Sequence, residues 1–432
     1  MVKIYLLELR RSPIFAAFPA MVLIDLFVLF GRSHYWIGVW PEASAAAQVT
    51  TLFLGPVLAA VSAWQAGRAS RSDMPTFLLA AARPPWQAEA ARLGATLTMG
   101  FGAYAVGCVI AAAVSYPDAG KGFLWPSYLL LGVATLTLYA AVGHLVGRAW
   151  SSPAFTPIVC ALGGFIIFLA VGQSFGLYVL SGTPDTQLAV QAVGVRLLTA
   201  AMFAALAVSA PVRMQTDVGH YLRRRSLAVR SVFTISLIMC FVTPFVVLTT
   251  GPLRAKRAVS SESVVCERRA ADAPRVCVWR EHGKYLPDLA RMAQRLDSVP
   301  QDWVQTPTAF YEFGIKPTPL GDRGFDVTEG HVRAAAIAMA GQIAYESLGM
   351  RKCPPPNESA QAWQAMDSIS LWLEYRAMGV DPKKADEGLH MSGVDASQKS
   401  AAQAVKGSEQ EQKQWTEEQR KVLRDAGCAK TP

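Results

Sequence analysis

Leu93-Gly-Ala-Thr-Leu-Thr-Met-Gly-Phe-Gly-Ala-Tyr-Ala-Val-Gly-Cys-Val-Ile-Ala-Ala-Ala-Val-Ser-Tyr116 carries no charged side chain along its whole length. A hydrocarbon core of about 30 Å is crossed by roughly 20 mostly apolar residues in helical form, so this stretch reads as a membrane span. Similar apolar runs flank it, and the expected spans lie near 14–31, 45–66, 93–116, 124–147, 154–180, 187–210 and 231–250. Helices are the form in which such runs cross lipid without stranding backbone polar groups. The expected fold is an all-α polytopic membrane bundle of seven transmembrane helices. A polar tail over 251–432 follows it. An odd number of crossings puts the N-terminus and the tail on opposite sides.

Charge sets the expected orientation. With the N-terminus cytoplasmic, the inner loops hold Lys3, Arg10, Arg11, Arg68, Arg71, Arg83, Arg92, Arg148, Arg213, Arg223, Arg224, Arg225 and Arg230. The short outer loops hold Arg32 and Lys121. That excess follows the positive-inside rule and places the tail outside the cytoplasm, on a multi-pass protein of the cell membrane. Cysteine usage agrees. Cys108, Cys160 and Cys240 fall in expected spans, where a thiol behaves as a small apolar group, while Cys266, Cys277, Cys353 and Cys428 all lie in the tail. An even set in an oxidising compartment reads as two disulfides, with three pairings open on sequence alone.

The net charge of +9 does not argue for nucleic acid as a partner. Much of it sits beside helix ends, where it sets topology and meets anionic lipid, and no recognition motif accompanies it. The first span is no cleavable leader either, since Asp25 lies within it and Gly-Arg-Ser-His-Tyr-Trp follows it. Residues 1–13 alternate apolar and charged groups at helical spacing, with Ile4, Leu7 and Arg11 sharing a face. They read as an amphipathic helix on the inner membrane surface, with a frayed terminus as the plainer alternative. Residues 211–230 form a basic cytoplasmic linker to the seventh span.

The loop between spans two and three carries the sharpest signal. Ser72 or Asp73 can cap a helix starting at Met74-Pro75, because proline is tolerated in a first turn. Phe77, Leu78 and Leu79 are its apolar body, and Pro84-Pro85 stop it. A free helix of that length is marginal in water, so the segment near 72–82 needs a surface to dock on, either the bilayer or a protein.

A surface helix running into span one, followed by a short helix between spans two and three, resembles the permease subunit of ABC-2 type transporters. Ser72-Asp73-Met74-Pro75-Thr76-Phe77-Leu78-Leu79 with Arg83-Pro84-Pro85-Trp86 is similar to that family's acidic cap, leucine run and proline-basic stop. The resemblance covers 1–210 and implies a six-span permease domain over 14–210. It implies that the 72–82 segment is a coupling helix, with Asp73, Met74, Phe77, Leu78 and Leu79 seated on a separate ABC ATP-binding subunit. It further implies a second permease chain, in a homo- or heterodimer. The seventh span and cysteine-bearing tail depart from the usual six-span layout and resemble an actinobacterial variant. No Gly-x-x-x-x-Gly-Lys-Ser/Thr occurs; Gly120-Lys121-Gly122 lies in an outer loop without the strand and helix of a P-loop. ATP is therefore expected on the partner. The expected function is a transport subunit of an ATP-driven exporter, not an enzyme, working on a lipid, peptide or drug-like amphiphile. The alternative is a membrane-anchored receptor or assembly factor acting through its tail.

Chemistry inside the spans is weighed against packing. Gly172-Gln173-Ser174-Phe175-Gly176 matches Gly-x-Ser-x-Gly, a motif with meaning at a strand-to-helix turn. Its nearest span base, His144, is expected roughly 20 Å away along the membrane normal at 1.5 Å per residue, so the serine reads as a helix-packing group. Asp25 and Arg196 are the two charges within spans, and each alone costs about 2.5–3.5 kcal/mol at mid-bilayer. Both fall in the outer half, so an ion pair between spans one and six is expected. Outward snorkelling of Arg196, with Asp25 protonated or in a wet cavity, is the alternative.

The tail reads as a small, mostly helical, disulfide-stapled domain containing a β-hairpin. The hairpin strands are Ser263–Cys266 and Arg275–Trp279 around Ala271-Asp272-Ala273-Pro274, so Cys266 pairs with Cys277 and Cys353 with Cys428. Helices are expected near 283–297, 328–350, 357–379 and 413–427, and a loose polar loop or fraying helix over 381–412. His282, His331 and His390 are scattered and read as solvated or capping. No catalytic residues, cofactor or metal ligands are expected.

Overall fold

The computed structural model describes residues 5–6, 8–9, 14–71, 86–150, 152–210, 227–249, 252–316, 324–348, 353, 359–379 and 396–428. It divides into two compact units, Met1–Ala255 and Lys256–Pro432.

The first unit is helical: α1 (Ile14–Phe30), α2 (Trp40–Val49), α3 (Thr51–Arg71), α4 (Trp86–Ala119), α5 (Pro126–Ala149), α6 (Phe155–Val171), α7 (Val190–Ser209) and α8 (Leu227–Thr249). Four stretches are long and apolar enough to cross a membrane: Trp40–Arg68, Trp86–Ala119, Pro126–Ala149 and Val190–Ser209. The chain is a membrane protein on that ground. Every expected span meets an apolar helix, but three apolar helical stretches are shorter: Ala17–Phe30, Phe155–Val171 and Ser231–Val247. The fifth expected span departs most. Its helix stops at Val171, and Gly172 and Gly176, the latter at φ +59°, turn the chain into an extended segment. The second runs longer than expected because Pro41 sits in the first turn of α2, where its missing N–H costs nothing.

Small residues set the spacing in this bundle. Gly143 and Gly147 on α5 face Ala59 and Ala63 on α3, and a Cβ on either glycine would lie 2.2 Å from the opposing alanine carbonyl oxygen. Backbones in lipid approach this closely only along small-xxx-small seams. Ser62 adds a hydrogen bond across the same seam, its Oγ donating to the Ala140 carbonyl at 2.7 Å. Above it, Gln48 holds the extended segment after α6. Its Oε1 accepts from the Val179 N–H and its Nε2 donates to the Leu177 carbonyl, at 2.9 and 3.0 Å.

The second unit has its own core, built around Val278, Phe310, Phe325, Ile369 and Trp372. Strands β1 (Val264–Glu267) and β2 (Arg275–Trp279) are antiparallel, with Cys266 opposite Cys277. A third strand, β3 (Ala309–Tyr311), pairs parallel to β2 and was absent from the expected hairpin, being too short to show an alternation. Helices α9 (Leu286–Asp297), α10 (Val332–Ser347), α11 (Ala360–Met378), α12 (Ala396–Lys406) and α13 (Glu409–Asp425) follow. Disulfides join Cys266 to Cys277 and Cys353 to Cys428.

Of the segment expected over 381–412 as a loose loop or fraying helix, residues 381–395 lie outside the described residues. Residues 396–406 are helical, and α13 begins at Glu409 behind a complete capping box in which Ser408 and Glu411 bond reciprocally. Ser-x-x-Glu is itself a helix-start signal, hidden here by the polar composition around it. Ala401, Ala402 and Val405 of α12 are buried in the core.

Candidate functional site

The residues flanking positions 72–85 gather a set of buried charges. Arg68 lies in the last turn of α3 on one side of that segment; Glu89 and Arg92 lie in the first two turns of α4 on the other. His144 and Arg148 come from the last two turns of α5, and Glu8 from the N-terminal segment, where residues 5, 6, 8 and 9 are helical. Glu89 Oε1 accepts from Arg92 Nη1 at 2.8 Å, and its Oε2 lies 3.0 Å from His144 Nε2. Glu8 reaches Arg92 Nε at 3.5 Å and Arg68 Nη2 at 3.8 Å. Thr96 donates to Gln65 at 3.0 Å, and Tyr5 bonds Thr98 at 2.8 Å. Glu89, Arg92, His144 and Arg148 are all buried.

The local sequence explains the placement. Glu89 and Arg92 are three residues apart on one helix, so they share a face, and Glu89 sits in the first turn of α4, where the helix dipole favours an anion. Arg148, in the last turn of α5, donates to the carbonyls of Ala207 and Ala210 and satisfies the end of α7. A charge cluster in an apolar bundle holds only when each member has a partner. This one joins the end of α3 and the start of α4 to the N-terminal segment, to α5 and, through Arg148, to α7. Its contacts among the described residues are ion pairs and hydrogen bonds that hold helix ends together. Among the described residues no group of His, Cys, Asp and Glu has a metal-holding arrangement.

The expected site residues fall as follows. Asp73, Met74, Phe77, Leu78 and Leu79 lie outside the described residues. Asp25 and Arg196 do not pair. Asp25, buried in α1, lies against Gly107 of α4, where an added Cβ would come within 1.7 Å of its Oδ2. Arg196 on α7 turns instead to backbone. Its Nε donates to the Phe175 and Gly176 carbonyls at 2.9 and 2.8 Å, and its Nη1 to Ala192 at 2.7 Å. The carbonyls left without helical partners where α6 ends replace the carboxylate expected there. The four tail cysteines pair as expected.

His282 also differs from expectation. It is fully buried, and its Nδ1 lies 2.6 Å from Glu312 Oε1, while Glu312 Oε2 accepts the Trp279 N–H at 2.9 Å. Burial pushes the Glu312 carboxyl above its ordinary value of 4.5, and His282 pulls it part of the way back. A raised folded value means that the native form holds the proton more tightly than the unfolded chain. The stabilising contribution is therefore full below about 4.5 and lost as pH rises through the folded value. Hydrogen exchange at Trp279, read on the full chain, should quicken over that window, and Glu312→Gln should flatten the dependence. An unchanged profile in Glu312→Gln would show that another group sets it.

Comparison with known proteins reaches the tail alone. A family model described as a domain of unknown function (DUF7224) matches residues 276–426. The match opens in β2 and closes at the end of α13, so each disulfide has one cysteine inside it (Cys277, Cys353) and one outside (Cys266, Cys428). No curated protein and no solved structure matches the chain.

Proposed function

We propose that this chain is the membrane-spanning subunit of an ATP-driven exporter of the ABC-2 type, acting as a dimer of permease chains with a separate ABC ATPase. Seven crossings are part of the proposal, with the three shorter apolar helices spanning at the lower end of the length range. One observation carries it. The charge cluster joins the helix ends that flank positions 72–85, those of α3 and α4, to the N-terminal segment, α5 and α7. A force applied to that segment by a partner closing on ATP then reaches several helices at once, which is what a coupling helix requires. The resemblance of residues 72–86 supports the same reading. Affinity purification from native membranes in mild detergent should bring down an ATPase with its own phosphate-binding loop. Recovery of the intact chain with no ATPase would remove the exporter reading.

The proposed orientation puts the N-terminus in the cytoplasm and residues 251–432 outside, from the arginine bias and the tail disulfides. Alkaline phosphatase fused after residue 432 should be active. A reporter that works only in the cytoplasm, active at the same position, would invert the topology. The second reading, a receptor or assembly factor, is favoured by the independent core and separate family match of the tail. A chain ending at Thr249 separates the two, since an exporter subunit should keep its ATPase and a tail-driven receptor should lose its partner.

A further inference from the structure

The membrane unit encloses a cavity of about 420 Å³ walled by α3, α5, α6, α7 and α8, within the range of about 300–1,000 Å³ usual for small-molecule sites. Ala59, Tyr139, Gly164, Phe168, Phe203 and Val247 form its apolar wall, and Arg196 is the one charged residue on it. On the α6 side it is bordered by Val159 and Ile167, which are themselves exposed, so the cavity is reached from the lipid surround. Space remains along this helix. A Cβ built on Gly163, also on the wall, meets no atom within 4 Å.

One polar side chain on the wall is left with capacity. Arg196 engages its carbonyls through Nε and Nη1, leaving Nη2 with no acceptor among the described residues, although a guanidinium offers five N–H donors. A buried guanidinium selects an anion, because charge-assisted bonds to carboxylate or phosphate are the strong ones. No acidic residue lines the cavity to compete. An apolar void opening to lipid and bearing one cation has the chemistry of an acyl chain with an anionic head.

We propose that this cavity binds an anionic amphiphile. One acyl chain runs along α6 over Gly163 and Gly164, and the carboxylate or phosphate sits on Arg196. The site stands whether or not the chain exports anything. The test uses the full chain in phosphatidylcholine nanodiscs and palmitic acid carrying a mid-chain diazirine. After irradiation, adducts should concentrate on Tyr139, Phe168 and Phe203, with palmitic acid displacing them and hexadecanol not. Gly163→Leu, which has open space to enter, should lower labelling about tenfold, a loss on the order of 1.4 kcal/mol in binding. Gly194→Leu, equally unhindered but off the cavity wall, should leave it unchanged. Phosphatidylglycerol in the disc then assigns the source. Displacement marks a phospholipid site and persistence a free-acid site, and both support an anionic amphiphile. Adducts spread evenly over α6 and α8 without competition, hexadecanol competing as well as the acid, or full labelling of Gly163→Leu would each overturn the proposal.

Discussion

Replacing Phe77 and Leu78 together with serine should abolish retention of the ATPase partner while leaving membrane insertion and both tail disulfides intact. The proposed coupling helix is short and bounded by Pro75 and Pro84-Pro85, so it has no core of its own and gains order from whatever it docks on. Burial of a Phe or Leu side chain is worth about 1.5–3 kcal/mol each, so the double substitution removes on the order of 3–6 kcal/mol from the interface. At 1.4 kcal/mol per decade, that is enough to turn a stable complex into one lost on washing. The measurement is co-purification from membranes expressing equal amounts of each form. Full recovery of the partner by the double variant would remove the coupling role from this segment. Ser174→Ala is the matched control and should change nothing, since Ser174 is not the helix-packing residue expected from the sequence but an exposed residue in the turn after α6.

The second large effect belongs to Glu89. Its two oxygens face Arg92 and His144, and all three groups are buried. Removing one partner from a buried charged pair costs about 3–5 kcal/mol, because the remaining charge stays desolvated. Glu89→Ala should therefore lower the melting midpoint of the full chain in nanodiscs by on the order of 10 °C. Glu89→Gln, which keeps an acceptor for one neighbour, should lose less. Glu89→Ala should also weaken partner-stimulated ATP turnover in the chain that still folds, because the bond between α4 and α5 is lost. A melting midpoint equal to that of the unaltered chain would mean that Arg92 and His144 find other acceptors.

Much of this architecture was legible in the sequence because lipid imposes long apolar runs and the tail imposes paired cysteines. The hairpin was legible for the same reason: Val264-Val265 and Val276-Cys277-Val278-Trp279 have the composition of strands, and two cysteines flank one turn. What escaped was everything decided by contact between distant residues. Glu89 and His144 are 55 positions apart, and neither carries a motif; only the packing of α4 on α5 brings them together. The Asp25–Arg196 pair failed for a related reason. Opposite charges in spans read as partners, but the break in α6 at Gly172 frees carbonyls at Phe175 and Gly176 that suit a guanidinium equally well. His282 read as solvated because its burial depends on β3, a strand of three residues that places Glu312 just beyond its end. The capping box at Ser408 is the one missed element that the sequence itself announced.

The exporter account is tested most directly by ATP turnover in proteoliposomes holding this chain and the ATPase that co-purifies with it. The account predicts that hydrolysis by the ATPase rises when the chain is present, and that Phe77→Ser with Leu78→Ser returns it to the level of the ATPase alone. Turnover that is the same with and without the chain, or unaffected by the double substitution, would contradict it.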